Sequence, residues 1–130
     1  LEASLKLKEI SYIHSEAYTG GELKHGPISL IEEGTLVVAI CTCRRLFEKM
    51  MANIREVKAR GAVVLGITTP QLAEALAQEA DCLFAVPDTA EFMLPSMSIL
   101  PLQLFAYYVA SMKGCDIDKP RNLAKSVTVE

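Results

Sequence analysis

Leu36-Val37-Val38-Ala39-Ile40-Cys41 is the stretch that decides the fold. It is an unbroken apolar run, rich in β-branched residues and without the alternation of a half-solvated strand, so it reads as a strand buried on both faces of a parallel sheet. Downstream, Arg45 to Arg60 has a helical pattern with Leu46, Met50, Ile54 and Val57 inward and Gly61 as its stop. Ala62 to Ile67 reads as a second buried strand, Pro70 to Ala80 as a crossover helix with proline in its first turn, and Cys82 to Val86 as a third strand. Strand, helix, strand, helix, strand is an α/β order, and right-handed crossovers set the strands parallel.

Beyond this alternation the pattern changes. Leu94 to Lys113 is a helix rich in Leu, Ile, Met and Tyr, expected to pack on the sheet and on a partner chain, with its start blurred by Pro95 and Pro101. Upstream, Leu1 to Tyr18 carries Leu5, Tyr12, Ile13 and Ala17 at helical spacing with no Gly or Pro between them, and Ile28 to Glu33 is a short helical or turn segment. Leu1-Glu2-Ala3-Ser4-Leu5 already looks like helix interior, which suggests a piece of a longer chain. Cys115 to Glu130 carries no core pattern and, as bare sequence, reads as a frayed tail.

Composition narrows the function. At 130 residues, 51% of them hydrophobic, the chain is one domain with a core of its own. A net charge of −3, no Lys/Arg block and no Trp point to neither nucleic acid nor an anionic membrane as partner. No uninterrupted apolar run reaches the roughly 20 residues that span a bilayer, and no signal-peptide pattern opens the chain, so the expected location is cytoplasmic. Of the four cysteines, Cys41 and Cys82 sit in strand-like runs as small core residues, and all four are expected to be free thiols. Cys41-Thr42-Cys43 lacks the two-residue gap of zinc or redox pairs, and His14 and His25 with scattered Glu form no metal-ligand spacing; no metal or cofactor is expected.

Ionisable side chains gather in Gly20-Gly21-Glu22-Leu23-Lys24-His25-Gly26-Pro27, where glycines and a proline make a rigid loop. Histidine as a residue type ordinarily titrates near neutrality unless its site shifts it, so His25 is a candidate to move protons to or from a hydroxyl or a ring oxygen, although a loop histidine serves equally as a structural hydrogen-bonding residue. On the first helix Glu2, Lys6, Glu9, Ile13 and Glu16 follow at i, i+4, i+7, i+11 and i+14. That stripe is either a solvated face whose ion pairs are worth about 0.2–0.5 kcal/mol each, or a general base, Glu9, tuned by a neighbouring cation, Lys6. No Gly-rich loop with several Ser and Thr precedes a helix, so phosphate cradling has no strong candidate. Lys125 can form a Schiff base only as a neutral amine; otherwise it is a solvated tail lysine.

Four segments carry a resemblance. They are Leu5 to Ala17, Gly21 to Pro27, Pro101-Leu102-Gln103-Leu104, and Asp116 to Glu130, ending Pro120-Arg121-Asn122-Leu123-Ala124-Lys125-Ser126-Val127-Thr128-Val129-Glu130. Together, in order and over essentially the whole chain, they closely resemble the C-terminal end of the glutamine–fructose-6-phosphate aminotransferase (isomerizing), or glucosamine-6-phosphate synthase, family. The loop is shared with other sugar isomerase (SIS) domain proteins; the terminal segment is specific to the synthases.

The resemblance implies an α/β fold of SIS type, a three-layer sandwich with a parallel sheet between helices, here lacking its first strand. Residues 1–114 would be a partial SIS domain and 115–130 a C-terminal catalytic tail. It further implies an enzyme of amino-sugar biosynthesis, a transferase and isomerase that converts fructose 6-phosphate and glutamine-derived ammonia to glucosamine 6-phosphate. Lys125 would form the Schiff base, Glu9 would move a proton between C1 and C2, and His25 would assist ring opening in the site of a neighbouring subunit of a homodimer. Lys6 would lie beside the sugar and assist Glu9. No cofactor or metal is implied. Ala3-Ser4 stands where the family commonly has Gly-Ala, and the glutaminase domain and the first SIS unit with its Ser/Thr-rich phosphate loop are absent from this sequence. The isolated chain is therefore expected to bind sugar phosphate weakly and turn over little. The rival reading is a non-catalytic SIS module that senses sugar phosphates, which would need neither Lys125 nor Glu9.

Overall fold

The computed structural model describes residues 1–121. They sort into two compact units, one made of Tyr18–Ser98 and the other of Leu1–Ala17 together with the chain from Ile99 onward.

The unit Tyr18–Ser98 holds the sheet. Strands β1 (Leu36–Cys41), β2 (Val63–Thr68) and β3 (Cys82–Ala85) lie in the order β1-β2-β3, every pair parallel, with Ile40 opposite Ile67 and Ile67 opposite Phe84. Helix α2 (Phe47–Lys58) connects the first two strands and helix α3 (Pro70–Leu76) the second two. The sequence's alternation of buried runs and helical patterns is what forces this: parallel neighbours need a crossover, and each crossover is a helix.

Ala39, Cys41, Phe47, Met51, Ile54, Val57, Ala62, Val64 and Leu76 form one buried cluster. Gly66 is part of the close fit, since a Cβ there would meet Leu76 Cδ2 at 2.7 Å. Gly61, at φ 88°, ends the turn after α2 in a backbone conformation that suits glycine. Asp81 then ties α2 to the sheet: its carboxylate accepts from Val64 N–H at 2.7 Å and from Lys58 Nζ at 2.5 Å. The Lys58 ammonium first, and the Val64 amide second, hold the Asp81 carboxyl below the ordinary carboxylate range.

Three sequence expectations need correction here. β1 is buried on one face only: Ala39 and Cys41 are buried, whereas Leu36, Val38 and Ile40 are exposed. With strands in sequential order, successive right-handed crossovers place both connecting helices on the same face, and an apolar run does not reveal which topology it will enter. Secondly, the inward face of α2 is Phe47, Met51, Ile54 and Val57, while Leu46 is exposed. A 3₁₀ turn at Arg44–Leu46 precedes the helix, and its steps of about 120° rather than 100° per residue shift the phase of the apolar stripe. Finally, Cys82 is exposed at the start of β3 and is not a core residue. All four cysteines are free thiols, and burial pushes the Cys41 thiol up to about 11.

The other unit begins with α1 (Glu2–Ser11). The helical spacing predicts a helix to Tyr18; the helix instead stops at Ser11, with Tyr12 in the left-handed region at φ 59°. Ser11 explains part of this: its hydroxyl donates to Leu7 O at 2.6 Å, and its Oγ accepts from Ile13 N–H at 3.4 Å, offering the backbone a partner outside the helix. The chain then runs back along α1, with Ser4 Oγ donating to Ser15 O and Ser15 Oγ to Ser4 O, both at 3.0 Å. Ile13 and Glu16 are therefore not on the helical stripe.

Helix α4 (Leu94–Met112) runs from one unit into the other and keeps Pro101 within it. Contrary to the sequence expectation, Glu91–Met112 is long and apolar enough to cross a membrane by length and composition. Leu94, Ser98, Leu102, Ala106 and Ala110 are buried at four-residue intervals, a single stripe of the kind a helix of a packed domain shows. Beyond α4, Lys113 Nζ donates to Ser11 O at 2.8 Å. Arg121 N–H donates to Tyr12 Oη at 2.8 Å, and its guanidinium lies 4.0 Å from the centre of the Tyr12 ring.

Candidate functional site

α1 delivers Lys6 and Glu9 to one side, three residues apart. Lys6 Nζ donates to Glu9 Oε2 at 2.7 Å and lies 3.8 Å from Glu2 Oε1. The hydrogen bond to Glu9 is the chief cause of a raised Lys6 pKa, opposed by slight burial and reinforced by the charges of Glu9 and Glu2. Both side chains reach solvent, so the pair is a carboxylate beside a fixed cation and adds little to stability. A carboxylate so placed can accept a proton from carbon if a substrate is held against it.

His25 belongs to the sheet-bearing unit. Gly20 to Pro27 forms two short 3₁₀ turns, Leu23–His25 and Pro27–Leu30, joined at Gly26 with φ 154°. No neighbour crowds Gly26; the backbone angle alone asks for glycine there. Glu22 N–H donates to Thr19 O at 2.9 Å and His25 N–H to Glu22 O at 3.1 Å, while Leu23 and Ile28 pack against the buried cluster. The His25 side chain is exposed and makes no hydrogen bond among the described residues, so both ring nitrogens remain available. His14, in the segment after α1, sits 3.6 Å from Glu16 and is largely exposed.

The structure thus brings Lys6 and Glu9 together and presents His25 on a separate loop. Lys125 lies outside the described residues. Among the described residues, no group of three or more His, Cys, Asp or Glu is arranged to hold a metal.

Sequence reasoning missed a cleft of about 560 Å³ in the sheet-bearing unit, which includes Thr42, Arg44, Arg45, Thr69, Gln71 and Asp88. It opens where β1 and β2 end, the edge at which open parallel sheets bind ligands. Gln71 Nε2 donates to Asp88 Oδ2 at 2.5 Å across it. Its signal in the sequence was position alone, the polar residues just after each apolar run, and none of Lys6, Glu9 and His25 lines it.

Over all 130 residues the chain is 58% identical to the glutamine–fructose-6-phosphate aminotransferase [isomerizing] of Clostridium acetobutylicum and covers 21% of that protein. The protein of the same name from Methanosarcina acetivorans is 55% identical over the same length, again with 21% covered. The chain therefore spans only 21% of the curated relatives it matches. Among solved structures, the C-terminal domain of glucosamine-fructose-6-phosphate aminotransferase from Francisella tularensis superposes with a TM-score of 0.86 at 39% identity, over 91% of this chain and 33% of that one. A glucosamine-6-phosphate deaminase from Thermotoga maritima gives 0.71 at 30% identity, over 99% and 36%. The SIS domain model matches residues 1–113, which takes in the loop, the parallel sheet and α4, and on that match the chain belongs to the SIS domain family.

Proposed function

We propose that this chain is the C-terminal part of an isomerase domain and that the whole protein converts fructose 6-phosphate and glutamine-derived ammonia to glucosamine 6-phosphate, in a cytoplasmic homodimer. The observation that carries the reading is identity of 55–58% across the entire chain to aminotransferases of that name. On this reading residues 1–114 are scaffold and acid–base elements, and 115–130 are a catalytic tail.

Ring opening comes first: His25 of one subunit passes a proton at the ring oxygen of fructose 6-phosphate bound to its neighbour. Lys125 then attacks C2 of the open ketose, water leaves, and an imine forms. Ammonia displaces the lysine amine at C2. Glu9, hydrogen-bonded to the Lys6 ammonium, removes a proton from C1 and delivers one to C2, leaving an aldehyde at C1 and an amine at C2. Lys6 keeps the Glu9 carboxylate oriented and near the sugar, which supports the reading because the two groups are already hydrogen-bonded at 2.7 Å. The chain alone binds the sugar phosphate weakly and turns over little, since the phosphate-binding segments belong to the rest of the protein.

Borohydride trapping of fructose 6-phosphate, followed by peptide mass spectrometry, tests this. The full-length protein is expected to carry a sugar adduct on Lys125 that is absent from Lys125→Ala. An adduct on a different lysine, or none in the full-length protein, overturns the Schiff-base assignment and favours a binding module instead.

A further inference from the structure

The loop that carries His25 is held from beneath by one stripe of α2. Met50, Asn53 and Glu56 follow at i, i+3 and i+6, which puts them on one side of the helix. Asn53 Nδ2 donates to Gly20 O at 2.8 Å, a partly buried contact that fixes the start of the loop. About one helical turn further along α2, the Glu56 carboxylate pairs with the ammonium of Lys24, immediately before His25. Met50 sets the height of the loop: a Cβ on Gly20 would come within 2.6 Å of Met50 Sδ and 3.0 Å of Asn53 Nδ2.

Between these anchors the chain is bonded to itself, Glu22 to Thr19 and His25 to Glu22, so fixing Gly20 and Lys24 fixes the backbone of His25 as well. Past His25, Ser29 closes the following turn, its Oγ and its N–H both donating to Gly26 O, at 2.6 and 2.9 Å. The neighbouring Lys24 side chain is engaged, and among the described residues the imidazole is not. That is what a proton-transfer group needs: its own nitrogens open and its position imposed by others.

We infer that Asn53 and Glu56 are positioning residues for His25, acting through Gly20 and Lys24 to set where the imidazole meets the sugar ring oxygen. The inference rests on the ring-opening role proposed above for His25. A proton transfer requires nitrogen and oxygen within about 2.6–3.2 Å, and a displacement of about 1 Å costs on the order of 100-fold in rate. Loss of both anchors therefore slows ring opening and leaves the steps on the open ketose alone.

The test uses the full-length protein and two substrates. Fructose 6-phosphate must be opened; 5-deoxyfructose 6-phosphate lacks the hydroxyl that closes the furanose and is always open. Asn53→Ala combined with Glu56→Ala is expected to lower kcat on fructose 6-phosphate by about 10- to 100-fold, with KM nearly unchanged and turnover of the 5-deoxy substrate retained. Glu56→Gln, which keeps an acceptor for Lys24, restores most of the loss when it replaces Glu56→Ala. An equal fall on both substrates, as misfolding or general loosening would give, overturns the inference, and so does no fall on either. His25→Ala separates this from the underlying reading. If His25→Ala is selective for fructose 6-phosphate and the α2 variants are not, only the positioning role fails; if His25→Ala slows both substrates alike, the ring-opening role fails and the positioning role with it.

Discussion

On α1, Lys6 and Glu9 hold each other across one helical turn; on the loop Gly20 to Pro27, Gly20 and Lys24 are held by α2, while the His25 side chain has no hydrogen-bond partner among the described residues. The first arrangement is local. Helical spacing alone brings positions i and i+3 together, so the pair exists wherever α1 is helical. The second is tertiary, because Asn53 and Glu56 lie more than thirty residues away from Gly20 and Lys24. A helix can pre-arrange a pair of charges by itself, whereas presenting one unpartnered imidazole on a fixed loop takes a packed scaffold underneath.

The largest test of this contrast strikes that scaffold. Ile54 is 2% exposed in the buried cluster against which Leu23 and Ile28 pack. Ile54→Ala should cost about 2–5 kcal/mol of unfolding free energy, from lost burial plus the cavity left behind. Denaturant unfolding measures the loss, and hydrogen exchange at residues 20–27 should rise with it; a loop that keeps its protection while the core is weakened would break the dependence drawn here.

A smaller effect is expected from the loop's own backbone. Gly26 sits at φ 154° with open space where a Cβ would go, so Gly26→Ala introduces backbone strain without a clash. The cost should be at least about 1 kcal/mol. Thermal unfolding monitored by circular dichroism detects it, and an unchanged midpoint would mean that the turn relaxes into an angle any residue can adopt.

The smallest effect belongs to the helical pair. Lys6→Met should change stability by no more than about 1 kcal/mol, since the pair is exposed and screened by salt. The pH dependence has a definite sign. Because the folded-state pKa of Lys6 is raised above 10.5, the pair's contribution is fully present below that value and is lost as pH rises through the folded value. Comparing wild type with Lys6→Met between neutral pH and strongly alkaline pH, the gap should close at the alkaline end; a gap that widens would contradict the assignment of the shift to Glu9.

The order of the three strands and their crossover helices was legible in the sequence because each is written locally, as an apolar run or a helical stripe between Gly and Pro. β1 begins and ends where its run does, and the Gly61 stop and the Pro70 start mark the connections. Local writing also gave Lys6 beside Glu9. The early end of α1 was not legible, because the left-handed turn at Tyr12 goes with contacts from Ser4, Lys113 and Arg121, residues whose proximity no spacing announces. The same holds for the one-sided burial of β1, which follows from both helices sharing a face, and for the cleft at the strand ends.

What the sequence determined by itself is therefore the identity and order of the elements and the side chains they carry: a parallel α/β unit, a lysine and a glutamate one turn apart on a helix, a histidine on a glycine loop. Only the tertiary structure decided which face of the sheet α2 and α3 cover, where α1 stops, and which groups stay unpartnered. The physical reason is range. Periodicity, capping and turn chemistry act over a few residues and can be read along the chain, but a side chain is bonded or left open according to what folding brings against it from far away in the sequence.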